Sequence, residues 1–359
     1  MNSSVTLAVA GSRKTQSIVN RCASGKPCRR LALTLTTAGQ EELTRRLEQH
    51  CPADQLPEVA GWFSFLLNNW VKPYVPDLFP GRRVTGFSFD GAQEEGAQYR
   101  KGAPRFLSAD GLAYRRYLAK FAYDVAVASR GAVLDRLSRI YDEIYIDEVQ
   151  DLVGWDLELL ELMLKFPITL QMVGDPRQSL ISTNERDPKN PEFRGLGLTR
   201  WFEQQEKAGR LTVEHSNTTY RSIQAIADFA DTIFSTNHGF KPTISRNDTV
   251  TFHDGLFTVS KHDFPEYKAQ FNPQCLNDNL LRGAGIDADF QTFGIVKGLT
   301  WEHVAIAPTN TVIDFIAKGK PLKDKTACGL YVAVTRARQS VAFILDDPGR
   351  LRSLRQWAP

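Results

Sequence analysis

The chain is poor in the features that define disulfide-rich, membrane-spanning or zinc-hydrolase proteins. It has only five cysteines in 359 residues, and an odd number of widely spaced cysteines does not indicate a disulfide framework. No apolar run reaches the roughly 18 residues of a membrane span, and the apolar stretch 5–10 is too short for a signal peptide. We therefore expect a soluble, cytoplasmic protein with reduced thiols and no membrane association.

Neither charge nor common hydrolase motifs assign a function by themselves. The formal net charge is +3, which permits a polyanionic partner without requiring one. The six histidines form no HExxH motif, and the chain contains no GxSxG elbow. Zinc-hydrolase and serine-nucleophile chemistry are therefore not supported.

Short, continuously apolar segments alternate with amphipathic ones along most of the chain. Such strands are typical of parallel sheets covered by helices on both faces, so we predict an α/β fold. At about 150 residues per domain the length suggests two domains. Two segments, at about 75–130 and 236–288, break the alternation and are interpreted as small insertions. The predicted strands are 5–10, 31–36, 144–146, 168–173, 211–213, 290–296, 304–307 and 341–345, and the main predicted helices are 38–47, 155–165 and 223–234.

The first strand leads into a glycine turn that resembles a phosphate-binding loop. Strand 5–10 is followed by Gly11-Ser12-Arg13-Lys14-Thr15 and a helix, the context in which backbone N–H groups can hold phosphate oxygens. Lys14 would neutralise the β- and γ-phosphates, and the Thr15 hydroxyl would bind Mg²⁺. Two positions depart from GxxxxGK[ST], because Ala8 and Arg13 replace glycines. A surface turn with a basic cluster is the alternative. The predicted nucleotide-binding residues of this loop are Ala10, Gly11, Ser12, Arg13, Lys14 and Thr15.

A pair of acids follows the apolar strand 144–146. Ligands of open α/β sheets lie beyond the carboxyl ends of the strands, so Asp147 is predicted to hold Mg²⁺ and Glu148 to orient and deprotonate a water. A helix N-cap is the alternative for this acid pair.

Six segments occur in an order that resembles one helicase family. Asp147-Glu148-Val149-Gln150-Asp151 resembles a DExQD box, and residues 173–179 (VGDPRQS) resemble a GDxxQS box. Residues 220–222 (YRS) resemble the end of NYRS, 297–301 (KGLTW) resemble KGLE[FW], and 331–338 (YVAVTRAR) are close to VALTRAR. Together with the phosphate loop, these motifs are similar to those of superfamily 1 helicases of the UvrD/Rep type, over nearly the whole chain.

The resemblance implies two RecA-like domains with ATP bound in the cleft between them. They would comprise residues 1–205, with a small insertion at about 75–130, and residues 206–359, with a vestigial one at about 236–288. It further implies that Gln178 senses the γ-phosphate, that Arg221 and Arg336 act as arginine fingers, and that Tyr220 stacks on adenine. Gly298 joins the nucleotide-binding residues.

The nucleic-acid side matches the family less well. Thr36 and Thr37 lie in a segment that resembles TFTN, and Lys297 lies in the KGLT segment. Trp62 and Phe63, in a segment that resembles TFHSF, are predicted either to contact nucleic acid or to belong to a core helix. Positions 35, 37, 183 and 294, where relatives carry Phe, Asn, Trp and His, are Leu, Thr, Thr and Gly. Lost aromatic platforms would weaken the grip on a single strand.

These patterns predict an ATP hydrolase that uses Mg²⁺ and acts as a 3′→5′ helicase or translocase on single-stranded or tailed DNA. A second hypothesis is a nucleotide-gated DNA-binding ATPase subunit that senses DNA and signals to a partner, such as a nuclease, without unwinding. An RNA substrate is a third possibility, because nothing in the sequence identifies the sugar.

Overall fold

The computed structural model describes residues 3–278 and 285–359, which form two compact units. The first unit comprises residues 3–7, 14–174 and 182–214. The second comprises residues 8–13, 175–181 and 215–359. The division at 214/215 differs from the predicted boundary at 205/206, and two loops, 8–13 and 175–181, group with the second unit.

The first unit is built from strands that alternate with helices. Its strands are β1 (Ser4–Ala8), β2 (Arg30–Thr34), β3 (Glu58–Gly61), β4 (Gly86–Ser88), β5 (Leu112–Tyr114), β6 (Glu143–Ile146), β7 (Thr169–Gly174) and β8 (Thr212–Ser216). Its α-helices are α1 (Lys14–Ser24), α2 (Thr37–His50), α3 (Trp62–Phe65), α4 (Lys72–Leu78), α5 (Gly91–Ala97), α6 (Leu118–Ala128), α7 (Ala132–Ile140), α8 (Trp155–Leu164) and α9 (Leu198–Lys207).

Six of these strands form one sheet in the order β3-β2-β6-β7-β1-β8. Strand β2 pairs in parallel with β3 and β6, and β7 pairs in parallel with β6 and β1. All five residues of β2 are buried, as expected for a strand covered on both faces. Because the strands are parallel, the chain that leaves β1 and the chain that leaves β6 emerge at the same edge of the sheet.

Aromatic residues pack a helical layer of the first unit that includes the segment around Trp62 and Phe63, for which a core helix was one of the two predicted alternatives. A π-helix, Leu66–Val71, joins α3 to α4. The rings of Trp62 and Phe65 lie 5.8 Å apart, and those of Phe65 and Trp70 lie 6.5 Å apart. All three side chains are buried, so this layer belongs to the core of the unit.

The segment of the first predicted insertion, at about 75–130, contains short strands and helices, and its extent stays a prediction. Strands β4 and β5 form a separate two-stranded parallel sheet, and α5 lies between them in sequence. Helix α6 buries Leu118, Phe121, Ala122 and Val125 in the core of the unit. The preceding segment contributes Val84, Phe106, Leu107 and Ala113 to the same core.

The second unit contains another six-stranded parallel sheet, in the order β13-β12-β14-β15-β11-β16. The prediction of an α/β fold with parallel sheets is thereby confirmed. The strands of this unit are β9 (Thr218–Thr219), β10 (Ile244–Ser245), β11 (Gly255–Ser260), β12 (Gln274–Asn277), β13 (Phe290–Thr292), β14 (Trp301–Ile306), β15 (Ala337–Leu345) and β16 (Arg355–Gln356). Its α-helices are α10 (Gln224–Thr232), α11 (Phe264–Phe271), α12 (Asn310–Lys318) and α13 (Asp324–Val334).

The prediction of an insertion at about 236–288 is wrong for most of that segment. Strand β11 pairs with the long strand β15, and β12 pairs with β14. Helix α11, between them in sequence, buries Phe264 and Tyr267 in the core of the unit. These residues are part of the main sheet layer, while residues 279–284 of the predicted insertion lie outside the described residues. The strand predicted at 290–296 ends at Thr292, and turns follow it.

The five cysteines are free thiols. Among the described residues, no helix combines the length and apolar character needed to cross a membrane.

Candidate nucleotide site

The predicted phosphate loop connects β1 to α1. Strand β1 ends at Ala8 rather than Ala10, and α1 begins at Lys14. Gly11 adopts φ 74°, and a Cβ at this position would lie 2.5 Å from Thr219 Oγ1 and 2.6 Å from Arg221 Cβ. Both the left-handed backbone and this close approach require glycine.

In the first unit, the start of α1 meets the carboxyl end of β6. The Thr15 hydroxyl donates a hydrogen bond of 2.7 Å to Asp147 Oδ2. The backbone N–H of Asp147 donates to Leu33 O over 2.8 Å, which fixes the acid at the edge of the sheet. The structure thus brings together the two residues predicted as metal ligands.

The chemistry of this pair fits Mg²⁺. A hydroxyl and a carboxylate are hard oxygen donors, and Mg²⁺ commonly binds one or two protein oxygens and completes its shell with phosphate oxygens and water. Throughout residues 3–278 and 285–359, no three His, Cys, Asp or Glu side chains cluster as metal ligands. A metal at Thr15 and Asp147 would therefore rely on nucleotide phosphates for further ligands.

Glu148 is oriented by its neighbours rather than free in solvent. It adopts a left-handed backbone with φ 55°, and its N–H donates to Asp147 Oδ1 over 2.9 Å. The Gln150 amide donates to Glu148 Oε2. Burial, and then the charge of Glu148, raise the pKa of Asp147, while the hydrogen bond from Thr15 and the charge of Lys14 oppose that rise. A bound cation would stabilise the ionised pair.

The second unit brings Gln178 and Arg336 together. The Arg336 side chain is almost fully buried, and its Nη2 donates to Gln178 Oε1 over 3.1 Å. Its Nε and Nη1 donate to the carbonyl oxygens of Val332 and Leu299 over 3.1 and 3.3 Å. Arg221 Nη1 donates to the carbonyl of Thr335, the residue before Arg336, over 3.0 Å. The three predicted γ-phosphate residues are thus held in one network of this unit.

Sequence reasoning missed Tyr331, which lies at the centre of a buried network in the second unit. The Tyr331 hydroxyl accepts a hydrogen bond of 3.1 Å from the Ala10 N–H and donates one of 3.1 Å to Asp175 Oδ2. Arg177 donates to Asp175 Oδ1 over 3.1 Å and lies 4.6 Å above the Tyr331 ring. The Ala10 N–H, which was predicted to bind nucleotide, is therefore engaged by a side chain. The only sequence signal for Tyr331 was its place at the start of the VALTRAR-like box.

The middle of the loop also belongs to the second unit. The Ser12 N–H donates to Val9 O over 3.2 Å, and the Ser12 hydroxyl is buried without a hydrogen-bond partner among the described residues. The Arg13 guanidinium lies 4.0 Å from the centre of the Tyr220 ring. The ring that was predicted to stack on adenine is thus covered on one face by an arginine of the loop itself.

The predicted nucleic-acid residues divide into exposed and buried ones. Thr36 is exposed and caps α2, where its Oγ1 accepts the Gly39 N–H over 3.1 Å. Thr37 is exposed as well, while Lys297 is half-buried in the turn after β13. Gly298, predicted to bind nucleotide, is exposed in the same turn, and its φ of 90° favours glycine. Their exposure does not test the predicted contacts to nucleic acid or nucleotide, which stay predictions.

The prediction that Trp62 contacts nucleic acid is wrong. Its side chain is 1% exposed, and its Nε1 donates to the buried Asp156 Oδ1 over 2.7 Å. A ring enclosed in this way has no face on which a base can stack, so the core-helix alternative holds for Trp62. Phe63 is half-buried, and the Arg115 guanidinium lies 5.2 Å from its ring centre.

Neither a family model nor a curated protein matches the chain. Among solved structures, the chain is similar to a PRRSV helicase (TM-score 0.48, 16% identity, covering 98% of this chain and 54% of that one). It is also similar to the arterivirus nonstructural protein 10 helicase (TM-score 0.49, 15% identity, 97% and 62%). A complex of an arterivirus nonstructural protein 10 helicase with DNA gives a TM-score of 0.49, 15% identity and coverages of 98% and 63%. The chain therefore spans between 54% and 63% of the length of these three structures.

Proposed function

We propose that the chain is a nucleoside-triphosphate hydrolase of the phosphate-loop class, with ATP and Mg²⁺ as its cofactors. The observation that carries this proposal is the hydrogen bond of 2.7 Å between the Thr15 hydroxyl and Asp147. It joins the residue after the loop lysine to a strand-end acid, which is the pairing that holds Mg²⁺ beside the β- and γ-phosphates in this class. A surface turn or a simple helix cap would not need that pairing.

Within this class, we propose a superfamily 1 motor of the UvrD/Rep type that moves 3′→5′ along single-stranded DNA. The order of the six motifs supports this proposal, and so does the contact between Gln178 and Arg336. Lys14 would neutralise phosphate charge, Glu148 would activate the attacking water, and Arg221 and Arg336 would stabilise the charge that develops on the transferred phosphoryl group. Hydrolysis would drive relative movement of two RecA-like domains.

A cleft in the small insertion supports a polyanionic partner. Arg82, Arg83 and Arg100 line a cavity of about 620 Å³ together with the hydroxyl-bearing residues Thr85 and Ser108. None of the three arginines forms an ion pair with another described residue. Such side chains bind phosphodiester groups and release counterions. Exposed Thr36 and Thr37, and Lys297, are further candidates for contacts to the strand.

Phosphate release from Mg-ATP, with and without single-stranded DNA, tests this function. We expect DNA to stimulate hydrolysis severalfold and Lys14→Ala to abolish it. Duplexes with a 3′ or a 5′ tail test polarity, and we expect strand separation from the 3′ tail only. Hydrolysis no faster than that of Lys14→Ala would contradict the enzyme proposal, and unwinding from the 5′ tail alone would reverse the polarity.

One observation favours a nucleotide-gated DNA-binding ATPase that signals to a partner such as a nuclease. Trp62 is buried, and Thr183, at a position where relatives carry Trp, donates its hydroxyl hydrogen bond to Asp156. The position of the lost platform and its possible substitute are thus both taken up by core contacts, which would weaken the grip on a moving strand. ATP hydrolysis stimulated by DNA without any strand separation would favour this function. Competition between DNA and RNA oligonucleotides would identify the preferred nucleic acid.

A further inference from the structure

Arg13 adopts a backbone conformation that arginine rarely takes. Its φ is 65°, in the left-handed region where a side chain with a Cβ is disfavoured. A glycine at this position would avoid that strain. The side chain is exposed, so burial of its stem does not offset the strain. Another contact must therefore hold Arg13 in place.

That contact is the ring of Tyr220. The Arg13 guanidinium carbon lies 4.0 Å from the ring centre, a distance at which the cation and the face of the ring attract each other. The Tyr220 N–H donates to Gly11 O over 2.9 Å, which fixes the tyrosine beside the glycine turn. The residue is 43% exposed. An exposed aromatic ring next to a phosphate loop is placed to stack on the base of a bound nucleotide, and here one face is already occupied.

We infer that Arg13 covers the face of Tyr220 that would otherwise take a nucleobase, so that the chain binds nucleoside triphosphates through their phosphates with little selection among bases. This inference rests on the proposed nucleotide-hydrolysing function. A base can still stack on the guanidinium plane instead of on the ring. Because every base has a flat face that can stack in this way, this contact does not distinguish one base from another. An uncovered tyrosine ring would favour the larger purine bases, because they stack over more of its face, whereas selection between individual bases would further require hydrogen bonds to the base edges.

Calorimetric titration with Mg²⁺ and each of ATP, GTP, CTP and UTP tests this inference, with inorganic tripolyphosphate as the base-free ligand. In the wild type, we expect the four dissociation constants to agree within about threefold. Arg13→Gly suits the left-handed backbone, so it should fold, and it uncovers the ring. We expect this variant to prefer purines over pyrimidines by about tenfold, because the larger bases stack better on tyrosine.

The control is Arg13→Gly combined with Tyr220→Ala, which removes the uncovered ring and should abolish the purine preference. If Arg13 instead contacts the phosphates, Arg13→Gly would weaken all five ligands by the same factor, tripolyphosphate included, and the inference would be wrong. A wild type that already prefers one base by more than about tenfold would also overturn it, while leaving the proposed function intact. If no triphosphate binds the wild type more tightly than it binds Lys14→Ala, the proposed function is wrong and the inference is wrong with it.

Discussion

The two units differ in the charged groups that their described residues bury: carboxylates outnumber guanidinium groups in the first unit, and guanidinium groups outnumber carboxylates in the second. Among the described residues, the first unit buries the carboxylates of Asp147, Asp151, Asp156 and Asp187 and the guanidinium of Arg30. Thr15 donates to Asp147, and Trp62 and Thr183 donate to Asp156. The second unit buries the guanidinium groups of Arg177 and Arg336 and the carboxylate of Asp175. Carboxylate and hydrogen-bonding oxygens surround these arginines.

This difference has a physical consequence for catalysis. A buried carboxylate whose donors are mostly neutral keeps an uncompensated desolvation cost, so the first unit gains stability when a cation binds at Asp147. In contrast, Asp175 compensates the charge of Arg177, and fixed oxygens hold Arg336 in one orientation. Positive groups that are positioned in advance need no reorganisation when negative charge develops on a phosphoryl group. In the proposed function, one unit would thus provide a cation site, and the other would provide oriented cations.

Among the variants considered, we expect Arg336→Ala to have the largest effect, because it removes one of the two guanidinium groups buried in the second unit. Arg336→Ala deletes a guanidinium that donates hydrogen bonds to Gln178 Oε1 and to two backbone carbonyls. We expect kcat for ATP hydrolysis to fall by about a thousandfold or more, and the free energy of unfolding to fall by about 3 kcal/mol because buried acceptors lose their donor. Steady-state phosphate release and urea unfolding measure the two effects.

The matched control for this prediction lies two residues along the chain. Arg338 has a side chain that is 53% exposed and lies 3.6 Å from Glu302. Arg338→Ala should change stability by no more than about 0.5 kcal/mol and should leave hydrolysis near the wild-type rate. Normal turnover in Arg336→Ala would remove Arg336 from its proposed role.

Glu148→Gln tests the first unit, and it changes the structure less than Arg336→Ala does. The amide keeps an oxygen that can accept the Gln150 hydrogen bond, but it cannot accept a proton from water. We expect kcat to fall by roughly a hundredfold to ten-thousandfold, with ATP affinity close to that of the wild type. Glu41, exposed on α2, gives the control variant Glu41→Gln, which should hydrolyse ATP normally. A loss of nucleotide binding in Glu148→Gln would show that the carboxylate acts in the ground state.

The strand-end part of the site could be predicted from the sequence for a simple reason. Continuous apolar runs mark buried parallel strands, and the residues that follow such strands meet at one edge of the sheet. The pairing of Thr15 with Asp147 follows from this rule, because both residues lie just beyond strands of the same sheet.

Other features depend on contacts that no local pattern encodes. The Nε1 of the buried Trp62 has its hydrogen-bond partner in Asp156, 94 residues further along the chain, and a four-residue helix is too short to show a periodicity. Strand β11 was not predicted, because Gly, Asn and Pro residues are scattered through its segment and its partner β15 is distant in sequence. The contact between Arg13 and Tyr220 requires a positive φ at an arginine, which propensity alone would not predict.

Asp156 offers the smallest and most specific test of the difference between the units. Burial raises its pKa to about 6, although hydrogen bonds from Thr183 and Trp62 lower it in part. An unfolded aspartate has a pKa near 3.9, so between about pH 4 and pH 6 the folded protein holds a proton that the unfolded chain has lost. The contribution of this group to the free energy of unfolding must therefore fall as pH rises, by about 2 kcal/mol between pH 4 and pH 6 and by about 3 kcal/mol over the whole titration.

Asp156→Asn should remove this pH dependence, because the amide stays neutral and keeps an oxygen for the Trp62 Nε1 donor. We expect the difference in the free energy of unfolding between wild type and variant to change by about 2 kcal/mol from pH 4 to pH 6, measured by urea unfolding at half-unit intervals. Asp77, exposed on α4, supplies the control Asp77→Asn, whose profile should run parallel to that of the wild type. If the Asp156→Asn profile is also parallel, the carboxylate is compensated in the folded state. The first unit would then compensate its buried charge with a partner of opposite sign, as Asp175 compensates Arg177 in the second unit.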